Sequence, residues 1–71
     1  MTLTNLQMAR RYMATEVVSI QRLLDQHDIS ESRALRMLQA AVEEAWKFFP
    51  DQEACDIQVS LIRGKITVTI S

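Results

Sequence analysis

Apolar residues recur along the first third of the chain at intervals of three and four. Leu6, Ala9, Met13, Val17, Ile20 and Leu24 follow this spacing, which places them on one face of a helix. It predicts a helix over residues 2–26, with Thr2 or Thr4 as its N-cap. Gln26-His27-Asp28 then breaks the pattern. At about 1.5 Å per residue this helix would be roughly 37 Å long.

A second helix is predicted over residues 31–49. Ser30 suits the N-cap, and Glu31 suits the positive end of the helix dipole. Ile29, before the cap, is placed to staple onto Ala34. Leu35, Leu38, Val42, Ala45, Trp46 and Phe49 form one stripe, which Ala34, Met37, Ala41 and Phe48 widen. Pro50 stops the helix.

The period then changes from 3.6 to 2. Ile57, Val59 and Leu61 alternate with Asp56, Gln58 and Ser60; beyond Arg63-Gly64, Ile66, Val68 and Ile70 alternate with Thr67, Thr69 and Ser71. This predicts strands over residues 55–62 and 65–70, joined by a two-residue turn. The hairpin pairs Leu61 with Ile66, Val59 with Val68 and Ile57 with Ile70, all on one face. A slip of one residue would destroy that match. The class is therefore α+β: two antiparallel helices packed on a β-hairpin, in a single domain over residues 1–71. A two-stranded sheet is barely stable alone and leaves two edges on which another strand can add.

Composition narrows the function classes. The chain has 71 residues and is 48% apolar, too apolar for a disordered segment. No run approaches the roughly 18 apolar residues of a membrane span. Met1 to Arg11 lacks the apolar segment of a signal peptide, so a cytoplasmic location is the default expectation. Eight basic and nine acidic residues give a net charge of −1, which argues against sequence-independent nucleic-acid binding.

Candidate chemistry is sparse. His27, the only histidine, lies near Asp25 and Asp28, and a metal or acid–base role can be framed. No third ligand follows from the sequence, so a solvated residue in the helix connection is the plainer reading. Cys55 is the only cysteine. It excludes an internal disulfide and a cysteine zinc site, and nothing resembles a nucleophile's partners. Glu43-Glu44, Asp51 and Glu53 read as a solvated face rather than a catalytic pair. Gly64 stands alone, so there is no phosphate-binding loop. We therefore expect no enzyme, no cofactor and no metal.

Binding surfaces are easier to find. Trp46, Phe48 and Phe49 cluster at the end of the second helix. They read as core or as a contact surface, and successive positions rotate by about 100°, so at least one should lie near the surface. Met8 and Tyr12 form a second apolar strip on the first helix, available to another subunit. Met13 and Met37 read as core. Arg10, Arg11 and Arg22 read as solubilising charges or, less simply, as an RNA-contacting stripe.

The run Leu24-Asp25-Gln26-His27-Asp28-Ile29-Ser30-Glu31, followed by Ala34-Leu35-Arg36-Met37-Leu38-Gln39-Ala40-Ala41-Val42-Glu43-Glu44-Ala45, by Phe48-Phe49 and by the strand Cys55 to Ile62, resembles the opening of the N-terminal domain of the bacterial transcription elongation factor NusA. The resemblance spans about residues 16–70 and rests on apolar spacing and turns. It implies a helix–helix–hairpin fold and a domain that docks on RNA polymerase at the flap tip of the β subunit. A bacterial or phage source is the matching expectation. In that family the domain runs on into further sheet and helices that carry some of its RNA contacts, so no RNA-contact residue carries over. The leading expectation is a small non-catalytic protein-binding module that regulates transcription by binding RNA polymerase. The alternative is a structural homo-oligomer or adaptor, such as a homodimer, assembled through the hairpin edge and the first helix. Weak RNA binding through the arginines is a third reading.

Overall fold

A computed structural model describes residues 4–48 and 56–70. It contains helix α1 (Asn5–Asp25), helix α2 (Glu31–Trp46), strand β1 (Ile57–Ile62) and strand β2 (Lys65–Ile70). This is the α+β arrangement that the change of hydrophobic period predicts.

Helix α1 starts at Asn5 because Thr4 closes a capping box. The Thr4 hydroxyl accepts from the Gln7 amide at 3.1 Å, and the Gln7 side-chain oxygen accepts from the Thr4 amide at 2.9 Å. Two otherwise orphaned donors are satisfied reciprocally. The other cap candidate, Thr2, lies outside the described residues. Helix α1 ends in a Schellman turn. His27 sits at φ +58°. Its amide donates to Leu24 O at 3.0 Å, and the Asp28 amide donates to Leu23 O at 2.9 Å. Both bonds satisfy carbonyls of the last turn. The break at Gln26-His27-Asp28 is thus a defined C-cap, built with a histidine where glycine is usual.

Ser30 caps α2, accepting from the Arg33 amide at 3.1 Å, with Glu31 in the first turn. The helix ends at Trp46, three residues short of the predicted 49. Beyond it Lys47 and Phe48 donate to Glu44 O and Ala45 O, both at 3.1 Å. These i→i−3 bonds tighten the end of the helix ahead of Pro50. Phe49, Pro50 and Cys55 lie outside the described residues.

β1 and β2 pair antiparallel, matching Ile57 with Ile70, Val59 with Val68 and Leu61 with Ile66, the predicted register. Arg63 at φ +53° and Gly64 at φ +76° form the turn. Two consecutive left-handed residues match a type I′ turn, whose twist suits a two-residue hairpin.

Each helix lies over one strand, α1 on β2 and α2 on β1. The core has two ends. At one, Met13, Ala41, Val42, Ala45 and Ile57 pack with Tyr12, Val59, Val68 and Ile70. At the other, Ile20, Ala34 and Leu38 pack with Val17, Leu24, Ile29, Leu61 and Ile66. Val59 belongs to both and joins them. Ile29 packs against the cluster that contains Ala34.

The inward face of α2 differs from the predicted stripe. Leu35 and Trp46 are 37% and 49% exposed, while Ala34 and Ala41 are buried. Ala9, Ala34, Ala41 and Ala45 are all buried along the helices. Small side chains let backbones approach closely, and packing density then favours turning the alanines inward over the larger Leu35 and Trp46.

Gln21 fastens the hairpin to α1. Its Nε2 donates to Gly64 O at 2.7 Å and to Asp25 Oδ1 at 3.0 Å, and its Oε1 accepts from the Ile66 amide at 3.0 Å. One side chain therefore satisfies a turn carbonyl and a strand amide.

Two outcomes follow. His27→Gly relieves the left-handed strain and should stabilise the domain by about 1 kcal/mol, raising Tm by roughly 4–8 °C. Gln21→Ala orphans the Ile66 amide and the Gly64 carbonyl. It should cost roughly 1–3 kcal/mol and speed hydrogen exchange at Ile66. An Ile66 amide that exchanges equally fast in both proteins would refute the clamp.

Candidate protein-binding surfaces

The tendency of antiparallel ladders to alternate decides what the sheet presents at its edges. Pairs that exchange hydrogen bonds alternate with pairs whose amides and carbonyls point outward. The Ile66 amide donates to Gln21 and not to β1, so Leu61–Ile66 is an outward pair. By alternation Val59–Val68 and Ile57–Ile70 are outward pairs too. β2 therefore offers Ile66, Val68 and Ile70 along its edge, with Ile66 already engaged. β1 offers Ile57, Val59 and Leu61.

A groove flanks each edge. Beside β2, Arg10, Met13, Ala14 and Val17 of α1 face Val68 and Ile70 across about 360 Å³. Beside β1, Gln39, Val42, Glu43 and Trp46 of α2 face Ile57 and Val59 across about 310 Å³. Packed helices stand about 8–10 Å apart, whereas paired strands stand about 4.8 Å apart. Two helices over two strands therefore overhang both edges and form these grooves.

The aromatic candidates separate. Tyr12 and Phe48 meet edge to face, with ring centroids 5.7 Å apart, and Tyr12 packs on the core. This pair closes one end of the domain. Trp46 lines the β1 groove instead. Met8 is half-buried on α1, and Phe49 lies outside the described residues. Arg10 borders the β2 groove, while Arg11 and Arg22 are exposed on α1. Arg22 also lies in the last turn of α1, where a cation suits the helix dipole.

His27, Asp25 and Glu31 border a polar hollow with Arg63, Gly64 and Lys65. Among the described residues, no three of His, Cys, Asp and Glu come together to hold a metal. No helix among them is long and apolar enough to cross a membrane.

Electrostatic features concentrate near the end of α2. Lys47 and Glu44 form an exposed ion pair at 2.8 Å. Its hydrogen bond and charge hold the Lys47 ammonium above its ordinary range. Burial, helped by the Glu16 and Glu44 carboxylates, pushes the Tyr12 phenol up. Sequence reasoning missed Gln21 and Val18, the latter 59% exposed on α1. Val18 stands one position off the core stripe, which was a readable signal.

Comparison of the chain with family models, with curated proteins and with solved structures yields no match.

Tyr12 is the only tyrosine, so an alkaline absorbance titration reads it alone. The midpoint should lie above the ordinary 10.0. The folded state holds this proton more tightly than the unfolded state does. Its stabilising contribution is thus complete below pH 10 and is lost as pH rises through the raised value. A midpoint at or below 10.0 in the folded protein would contradict the packing of Tyr12.

Proposed function

We propose that this domain is a small non-catalytic protein-binding module, with RNA polymerase as its partner. The observation that supports it is the pair of apolar grooves, each running beside a strand edge whose alternate residues turn their backbone groups away from the ladder. Strand edges with adjacent apolar grooves suit main-chain recognition of extended segments. The choice of polymerase rests on the resemblance of residues 16–70 to the NusA N-terminal domain. The helix–helix–hairpin order agrees with what that resemblance implies.

A second reading has its own observation. Arg10, Ala14, Val17, Val18, Gln21 and Asp25 line one side of α1. Placed antiparallel against a copy of itself, the helix would bring Arg10 opposite Asp25 at both ends and the valines together in the middle. This favours a homodimer through α1, since Gln21 already occupies part of the β2 edge.

Titration of the domain with RNA polymerase, and with its isolated β flap, checks the first reading through Trp46 fluorescence. Saturable binding supports it, and no response at a concentration of about 100 μM removes polymerase as the partner, since that limits affinity to weaker than roughly −5 kcal/mol. Sedimentation of the same sample checks the second: a monomer at millimolar concentration eliminates the homodimer.

A further inference from the structure

We infer that the groove between α2 and β1 binds an extended partner segment as a third strand, and that this segment carries an arginine or lysine on its inward face. The inference rests on the protein-binding reading and narrows it to one edge, one geometry and one charge.

The two edges are not equivalent. On β2 the Gln21 side chain occupies the Ile66 amide and the Gly64 carbonyl, so an incoming strand meets a blocked ladder at the turn. Among the described residues, no hydrogen bond beyond the ladder engages Ile57, Val59 or Leu61 of β1. Their outward groups form a continuous template for an added strand.

The roof over that template selects the occupant. α2 overhangs β1, and side chains on the inward face of an added strand would point at Gln39, Val42, Glu43 and Trp46. Val42 and Val59 offer apolar contact. Trp46 is the chain's only tryptophan and is 49% exposed. Glu43 lies three residues before it on the same helix face. Glu44 is engaged by Lys47, and Glu43 is the only charged residue among the described residues that line the groove.

An inward arginine answers all of these at once. Its methylene stem lies along Val42 and Val59, its guanidinium stacks on the indole, and its N–H groups donate to the Glu43 carboxylate. Apolar side chains two residues to either side would continue the sheet's apolar face. A second copy of the chain fits this groove poorly. An edge-to-edge pairing of two β1 strands would bring two overhanging α2 helices, each with Glu43, against one another.

The test uses three heptapeptides, acetylated and amidated. The first alternates Thr on the outer face with Val, Arg and Val on the inner face. The second replaces Arg by Glu. The third is the first peptide with N-methyl groups on its ladder amides. Trp46 fluorescence reports binding, and amide chemical shifts locate it. The arginine peptide should bind about tenfold more tightly than the glutamate peptide, the range open to a half-buried ion pair stacked on an indole. It should shift the Val59 and Leu61 amides, and the N-methylated peptide should not bind. In Glu43→Lys, an exposed substitution that leaves the fold intact, the preference should reverse. Equal affinity of the two charges, unchanged preference in Glu43→Lys, shifts confined to α1 and β2, or no binding of the arginine peptide at millimolar concentration would each overturn the inference. Polymerase binding that persists alongside any of these failures would locate the fault in the groove and not in the module.

Discussion

Among the described residues, six inward side chains of a two-stranded hairpin are covered by two helices. Ile57, Val59 and Leu61 on β1 and Ile66, Val68 and Ile70 on β2 share one face. A hairpin of this size is marginal in water. The helices must lie close enough together to reach both strands, and close approach needs small residues at their contact. Ala9, Ala34, Ala41 and Ala45 are small residues buried on the two helices. Most other features follow from this arrangement: the placement of α1 on β2 and α2 on β1, the half-burial of the sheet, and the displacement of Leu35 and Trp46 to the outside.

The same geometry makes the binding surfaces. Helices are wider than strands, so a layer of two helices cannot end flush with a sheet of two strands. The overhang turns each edge into a groove with a backbone wall and a side-chain roof. A larger sheet would bury its edges' flanks under more strands. Among the described residues there are only two helices and two strands, so no further element of theirs covers those flanks. Among the described residues the device that limits this exposure is Gln21, and it acts on β2.

Much of this was legible in the chain. The hairpin register was readable because a period of 2 admits only one alignment of Ile57, Val59 and Leu61 with Ile66, Val68 and Ile70 around a two-residue turn. The face of α1 was readable because its apolar residues are few and regularly spaced. The face of α2 was not. Apolar residues cover much of its girth, so periodicity alone cannot say which arc turns inward, and side-chain size decided in favour of the alanines. Gln21 was invisible for another reason. A glutamine that bonds to backbone groups more than forty residues away carries no periodic signal, and its neighbours give it the appearance of an ordinary solvated position. Trp46 was read with Phe48 and Phe49 as core or contact surface, and its association with the β1 edge depends on how α2 is rotated.

The Gln21 clamp also bears on where binding can occur without unfolding the domain. Anchoring the turn to α1 fixes the hairpin against the helix layer at one end, while Tyr12 and Phe48 close the other end. β1 is paired with β2 from Ile57 to Ile62, so its three outward residues are held extended before any ligand arrives. Pre-ordering of this kind lowers the conformational entropy that strand addition must overcome. It matters most in a small domain, whose net stability is only a few kcal/mol, because little binding energy can be diverted to reshaping the protein. A rigid edge beneath an overhanging helix is thus the form of recognition this fold can support at least cost to its own stability.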